Sequence, residues 1–191
     1  MNSVQQIINE SIDVKTAVMG DASFIRNIEK VAEICTMALK AGSKVLFCGN
    51  GGSAADAQHI ASELSGRFYI DRRPFAAEAL HCNTSYLTAV ANDYGFDCVY
   101  SRLLQATAKK GDVLVGLSTS GNSQNVVNAF EMAKTLGLST VAMTGAGGGK
   151  LKPMADVLLA VPSDNTPRIQ ECHILLGHII CELVEKNMLN Y

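Results

Sequence analysis

Apolar positions recur at helical spacing through the first forty residues: Val4, Ile7, Ile8, Ile12 and Val18 form one run, then Ile25, Ile28, Val31, Ala32, Cys35 and Leu39 a second. Asp21 stands where an N-cap belongs and Gly42 closes the second run, so the pattern predicts two helices ahead of any strand. Beyond Gly42 the period changes. Val45 to Cys48, Phe75 to Leu80, Val113 to Leu117, Thr140 to Met143 and Val157 to Val161 are apolar at nearly every position, and each is followed by a Gly- or Ser-bearing turn and a helical stretch. Strands that do not alternate are buried on both faces, as in a parallel sheet lying between helices, so the predicted fold is an α/β three-layer α/β/α sandwich. A closing helix is expected from about Pro167, through Ile169, Leu176, Ile180 and Leu183, to about Lys186.

The chain has 191 residues with 48% apolar content, enough for one substantial core. No linker, repeat or low-complexity stretch divides it, and one domain over 1–191 is expected. A net charge of -2, from 16 basic and 18 acidic residues spread along the chain, gives no field to collect nucleic acid or an anionic membrane. Any bound anion must be held locally. The cysteines Cys35, Cys48, Cys82, Cys98, Cys172 and Cys181 form no CxxC pair and mostly lie in apolar runs, which reads as reduced core thiols. Glu10, Asp13 and Lys15 interrupt the leading segment, so it is no signal-peptide core, and no stretch approaches a membrane span. A cytoplasmic protein is expected.

In such sheets ligands bind beyond the carboxyl ends of the strands. Two turns there are unusual, Cys48-Gly49-Asn50-Gly51-Gly52-Ser53 after the first strand and Ser118-Thr119-Ser120-Gly121-Asn122-Ser123 after the third. The second concentrates hydroxyls where a helix N-terminus already offers free amides and the positive end of its dipole. A phosphate monoester could be held there without Lys or Arg. The alternative is that these Ser and Thr residues simply cap the helix. Gly49 to Ala54 also fits a loose GxGxxA dinucleotide fingerprint, but the acidic residue expected about 20 positions on is not clearly present. Gly145 to Lys150 has the composition of a Walker loop without its spacing, and Leu151 stands where Ser or Thr would bind Mg; it reads as a flexible turn.

His59 and Glu63 are four residues apart on the helix after the first turn, one above the other on one face, where they can share a divalent cation or simply face solvent. On the last helix His173 falls with Leu176 and Ile180 and reads as a core residue. His178 aligns with Glu171, Glu182 and Glu185, a stripe that is either solvated or borders a polar cleft or subunit contact. Gln170 and His178 are eight residues apart, about 12 Å on an unbroken helix, so both reach one ion only if the first turn is irregular or another subunit contributes.

These segments together, Cys48 to His59, Glu63, Ala91-Asn92-Asp93-Tyr94-Gly95, Ser118 to Ser123, Thr166 to Glu171 and His178, resemble the phosphoheptose isomerase branch of the sugar isomerase (SIS) domain proteins over essentially the whole chain. The resemblance implies a flavodoxin-like five-stranded parallel sheet and a homotetramer, with the helical pair 1–42 packed on the domain and at the oligomer interface. It implies conversion of sedoheptulose 7-phosphate to D-glycero-D-manno-heptose 7-phosphate, the first step towards ADP-heptose for lipopolysaccharide. It further implies one Zn2+ per subunit on His59, Glu63, Gln170 and His178, and substrate contacts from Asn50, Gly51, Gly52, Glu63, Asn92, Asp93, Ser118, Thr119, Ser120, Ser123 and Gln170. An enediol route would use Glu63 to move the carbon-bound proton and His178 to relay protons at the oxygens. The competing expectations are a non-catalytic SIS protein that binds a phosphosugar or a partner such as a replication initiator, and a nicotinamide-dependent oxidoreductase. Non-catalytic relatives lack counterparts of Glu63 and His178.

Overall fold

Both leading runs fold as their spacing predicts: in the computed structural model, which describes residues 2–189, α1 spans Ser3–Gly20 and α2 Ala22–Lys40. Asp21 caps α2 by accepting from the amides of Ser23 and Phe24, and the bond from the Ser23 hydroxyl, with those two, holds its carboxyl below the ordinary aspartate value. The strands are β1 (Val45–Gly49), β2 (Ala77–Ala79), β3 (Val113–Leu117), β4 (Ser139–Thr144) and β5 (Val157–Ala160). They form one parallel sheet in the order β2-β1-β3-β4-β5, with Val45 opposite Val113 and Val113 opposite Ser139. The β2 strand is shorter than the apolar run suggests because Phe75 N donates to Leu64 O and so leaves the ladder.

The remaining helices are α3 (Gly52–Ser65), α4 (Thr84–Tyr94), α5 (Val99–Thr107), α6 (Gln124–Leu136) and α7 (Thr166–Leu189). Two helices, not one, fill the connection from β2 to β3. Successive strand residues feed opposite cores, as the pleat requires. Val45, Phe47, Val113 and Val115 join residues of α2, α3 and α7, whereas Leu46, Cys48 and Leu114 join residues of α4, α5 and α6. Burial on both faces is the physical reason these strands show no alternation in sequence. Cys35, Cys48, Cys172 and Cys181 are buried as expected, while Cys82 is exposed. Among the described residues no helix is long and apolar enough to cross a membrane.

The strand order reverses between β1 and β3, which opens a crevice beyond their carboxyl ends. The two unusual turns of the sequence lie on either side of that point.

Candidate active site

At the switch point, α3 and α6 begin without a side-chain cap, as α5 also does after Cys98. Asn2, Asp21 and Asn83 cap α1, α2 and α4 with side-chain oxygens, but neither Gly51 before α3 nor Ser123 before α6 makes a side-chain cap. The Ser123 hydroxyl lies instead 3.0 Å from that of Ser118, across the turn. Ser123 therefore does not cap α6 through its side chain; Val126 N is taken up by Asn125 Oδ1 and Ser123 O, which leaves the amides of Gln124 and Asn125 to face an anion. The two turns are tied together by Asn50 and Asn125, whose side-chain amides exchange two hydrogen bonds of 2.9 and 2.8 Å. Asn125 carries no obvious signal in the sequence, yet it is buried and fixes the spacing of both turns.

The Gly145 to Lys150 segment, expected to be a flexible turn, is clamped onto the serine turn. Gly145 N donates to Thr119 O, Lys150 N to Asn122 Oδ1 and Leu151 N to Gly121 O. Gly121 has φ +66°, and a Cβ there would stand 2.1 Å from Gly148 O, so only glycine lets the two loops touch.

His59, Glu63 and His178 come together on facing surfaces of α3 and α7. His59 Nε2 is 3.1 Å from Glu63 Oε1 and 3.4 Å from His178 Nε2, and one ligand atom from each of the three lies within 4.8 Å of the others. Two nitrogen or oxygen ligands of a tetrahedral zinc, each about 2.0–2.1 Å from the ion, stand about 3.3 Å apart. The spacing and the donor set thus fit a divalent metal. Gly177 makes the approach of the helices possible: a Cβ there would lie 2.4 Å from Ile60 Cδ1. Adjacent to His178 in sequence, Gly177 has no other feature that marks it as functional.

The other candidates are placed elsewhere. Gln170 packs its amide against Gly52, at the start of α3, lining a cleft with Asp56, Pro167 and Glu171. Gly52 and His59 are seven residues apart, about 10.5 Å along the helix, so this Gln170 does not join the His59 cluster. Because α7 is regular from Thr166 onward, an irregular first turn does not bridge the gap. Asn92 donates to Asp93 Oδ1 on the exposed end of α4. Asp56 Oδ2 is buried without a hydrogen-bond partner, and burial lifts that carboxyl above its ordinary value against the pull of His59.

The glutamate stripe of α7 is divided, with Glu171 and Glu182 each keeping over a third of the side chain exposed and Glu185 turned inward. Glu185 is fully buried against Arg72, and Glu171 is bound by Ser11 of α1 and by Arg168. His173 is buried, as its alignment with Leu176 predicts.

The family model for the SIS domain matches residues 16–145. A phosphoheptose isomerase from Akkermansia muciniphila is 53% identical over 96% of this chain and 97% of its own. The solved structure of a phosphoheptose isomerase from Neisseria gonorrhoeae superposes with a TM-score of 0.90 at 45% identity, over 96% of this chain and 97% of that one. One from Francisella tularensis gives 0.91 at 36% identity, over 97% and 100%. By sequence along nearly its whole length, and by fold, the chain belongs to the SIS domain family, in its phosphoheptose isomerase branch.

Proposed function

We propose that this protein isomerises sedoheptulose 7-phosphate to D-glycero-D-manno-heptose 7-phosphate in the cytoplasm, at the head of ADP-heptose and lipopolysaccharide core synthesis. The observation that carries the reading is the meeting of Glu63 and His178, from α3 and α7, in a chain half identical to named phosphoheptose isomerases.

The reaction moves one proton from C1 to C2 and another between the two oxygens, through an enediol. Glu63 takes the proton from C1 and returns it at C2. His178 moves the proton between O1 and O2. The amides of Gln124 and Asn125 at the start of α6, with Ser118, Thr119, Ser120 and Ser123, hold the phosphate; Asn50, Gly51 and Gly52 line the facing turn, and Asn92 and Asp93 bind sugar hydroxyls. A zinc ion held by His59, Glu63, His178 and Gln170, one per subunit, would supply Lewis-acid polarisation of the carbonyl.

Within one chain Glu63 lies eleven residues past Gly52, about 16 Å along α3 from the glycine turn. A phosphate at that chain's own serine turn is therefore far from its Glu63. The working site is built between subunits, with Gln170 reaching the metal of a neighbour. Exposed Val4, Ile7, Ile8 and Ile12 on α1 supply apolar area for the homotetramer contact of the 1–42 helical pair around a single domain.

The test is NMR of sedoheptulose 7-phosphate with purified protein in deuterated water. Appearance of the heptose aldose, with deuterium at C2, is expected. Binding of the sugar phosphate without conversion overturns the reading in favour of a non-catalytic phosphosugar binder.

A further inference from the structure

Glu63 stands on the last turn of α3, where carbonyls have no intrahelical partner and the backbone frays unless something else holds it. Arg72 supplies that hold. Its Nη2 donates to Glu63 O at 3.1 Å and its Nη1 to Leu64 O at 3.1 Å, while its guanidinium lies 3.7 Å over the Phe75 ring. Its Nε donates to Glu185 Oε1 of α7 at 2.7 Å, and the other oxygen of Glu185 accepts from the amides of Tyr69 and Ile70. The loop between α3 and β2 is thereby wound around one carboxylate. That winding places Phe68 beside His178, with ring centroids 5.9 Å apart.

We propose that the buried Arg72–Glu185 pair is the positioning device of this site, fixing Glu63 through its backbone and His178 through Phe68. Both side chains are almost inaccessible, 3% and 0% exposed. A buried ion pair is weak as a source of stability, since an apolar pair of similar volume commonly serves as well. The directional bonds are what an apolar pair could not replace: one fork reaches the backbone of the proposed base, and one carboxylate spans the loop and α7. Burial of Glu185 works against its ionisation, but the Tyr69 amide, Arg72 and the Ile70 amide outweigh it and leave its pKa below the ordinary glutamate value. Glu185 is therefore ionised where it meets the guanidinium.

The inference rests on the proposed function for its kinetic arm only. The decisive variant is Arg72→Lys in the full-length, zinc-loaded enzyme, which keeps a charge opposite Glu185 and loses the fork; Glu185→Gln is its companion. Zinc affinity is read by competition with a chromophoric chelator, kcat and KM with sedoheptulose 7-phosphate, and folding by thermal melting. Arg72→Lys is expected to stay folded while zinc affinity and kcat each fall by about 10–100-fold, with KM shifted by less than about threefold. A folded Arg72→Lys enzyme with wild-type zinc affinity and kcat overturns the proposal, whatever Glu185→Gln does. If the wild type binds zinc but turns nothing over, the functional reading fails, and the zinc comparison alone decides the positioning role.

Discussion

The Nε2 atoms of His59 and His178, 119 residues apart in the chain, face each other at 3.4 Å across the α3–α7 contact, their rings inclined at 74°. Two imidazole nitrogens gain little from each other unless one donates a proton or both bind a third group. With Glu63 on the same side, the arrangement is suited to a metal and to proton transfer, and its consequences can be measured.

Replacing Glu63 by Gln, or His178 by Gln, should leave the fold intact and lower kcat on sedoheptulose 7-phosphate by about 10²–10⁴-fold, the usual contribution of a positioned acid or base. Elemental analysis should find near-stoichiometric zinc in the wild type and less in His178→Gln. Near-normal turnover by either variant would remove that residue from the mechanism.

Gly177→Ala tests the helix contact. Its Cβ would meet Ile60 Cδ1 and Cγ1 at 2.4 and 2.5 Å, so the variant should lose about 1–3 kcal/mol, the ordinary cost of overpacking. Forcing α3 and α7 apart should also weaken metal binding, and Ile60→Ala in the same chain makes room and should restore part of that affinity. Unfolding by urea and chelator competition report the two effects; an unchanged midpoint for the single variant contradicts the packing account.

Gly121→Ala should damage the phosphate turn more than the metal cluster. The residue is held at φ +66° with Gly148 O at 2.1 Å from the added carbon, so the clamp between the loops must open. KM for the sugar phosphate is expected to rise at least about tenfold, the loss of roughly one charge-assisted hydrogen bond, with zinc content unchanged. Equal loss of zinc would show that the two regions are not separate within the chain.

Stability should depend on pH through His173. Burial pulls its pKa from 6.5 to about 4, although its bond to Thr144 O works the other way. The unfolded chain takes up a proton below about pH 6.5, and the folded chain does so only near pH 4. Stability is thus complete above the unfolded value and is lost as pH falls through this window, by up to about 3 kcal/mol. Burial also lowers the His81 pKa, so His81 contributes with the same sign below about pH 6.5, whereas Glu185, depressed below its ordinary range, adds its loss only at lower pH. Urea unfolding from pH 7 to 5 should show the slope, and His173→Gln should flatten it; a slope unchanged in that variant assigns it to other groups.

The sequence by itself determined the architecture, because period is a local property. Runs buried on both faces spell strands of a parallel sheet, and Asp21 and Pro167 mark helix starts through bonds to, or rings within, their own first turns. The His59–Glu63 pair was legible for the same reason, one helical turn of spacing. Only the tertiary structure decided which distant residues meet. Asn125 with Asn50, Gly177 with Ile60 and Arg72 with Glu185 are each joined by packing between elements, which no periodicity encodes. It also turned the glutamate stripe of α7 inward at Glu185, since helical phase gives a direction but not what lies in it. The separation of the glycine turn from Glu63 follows from the length of α3 between them, a local property of one unbroken helix.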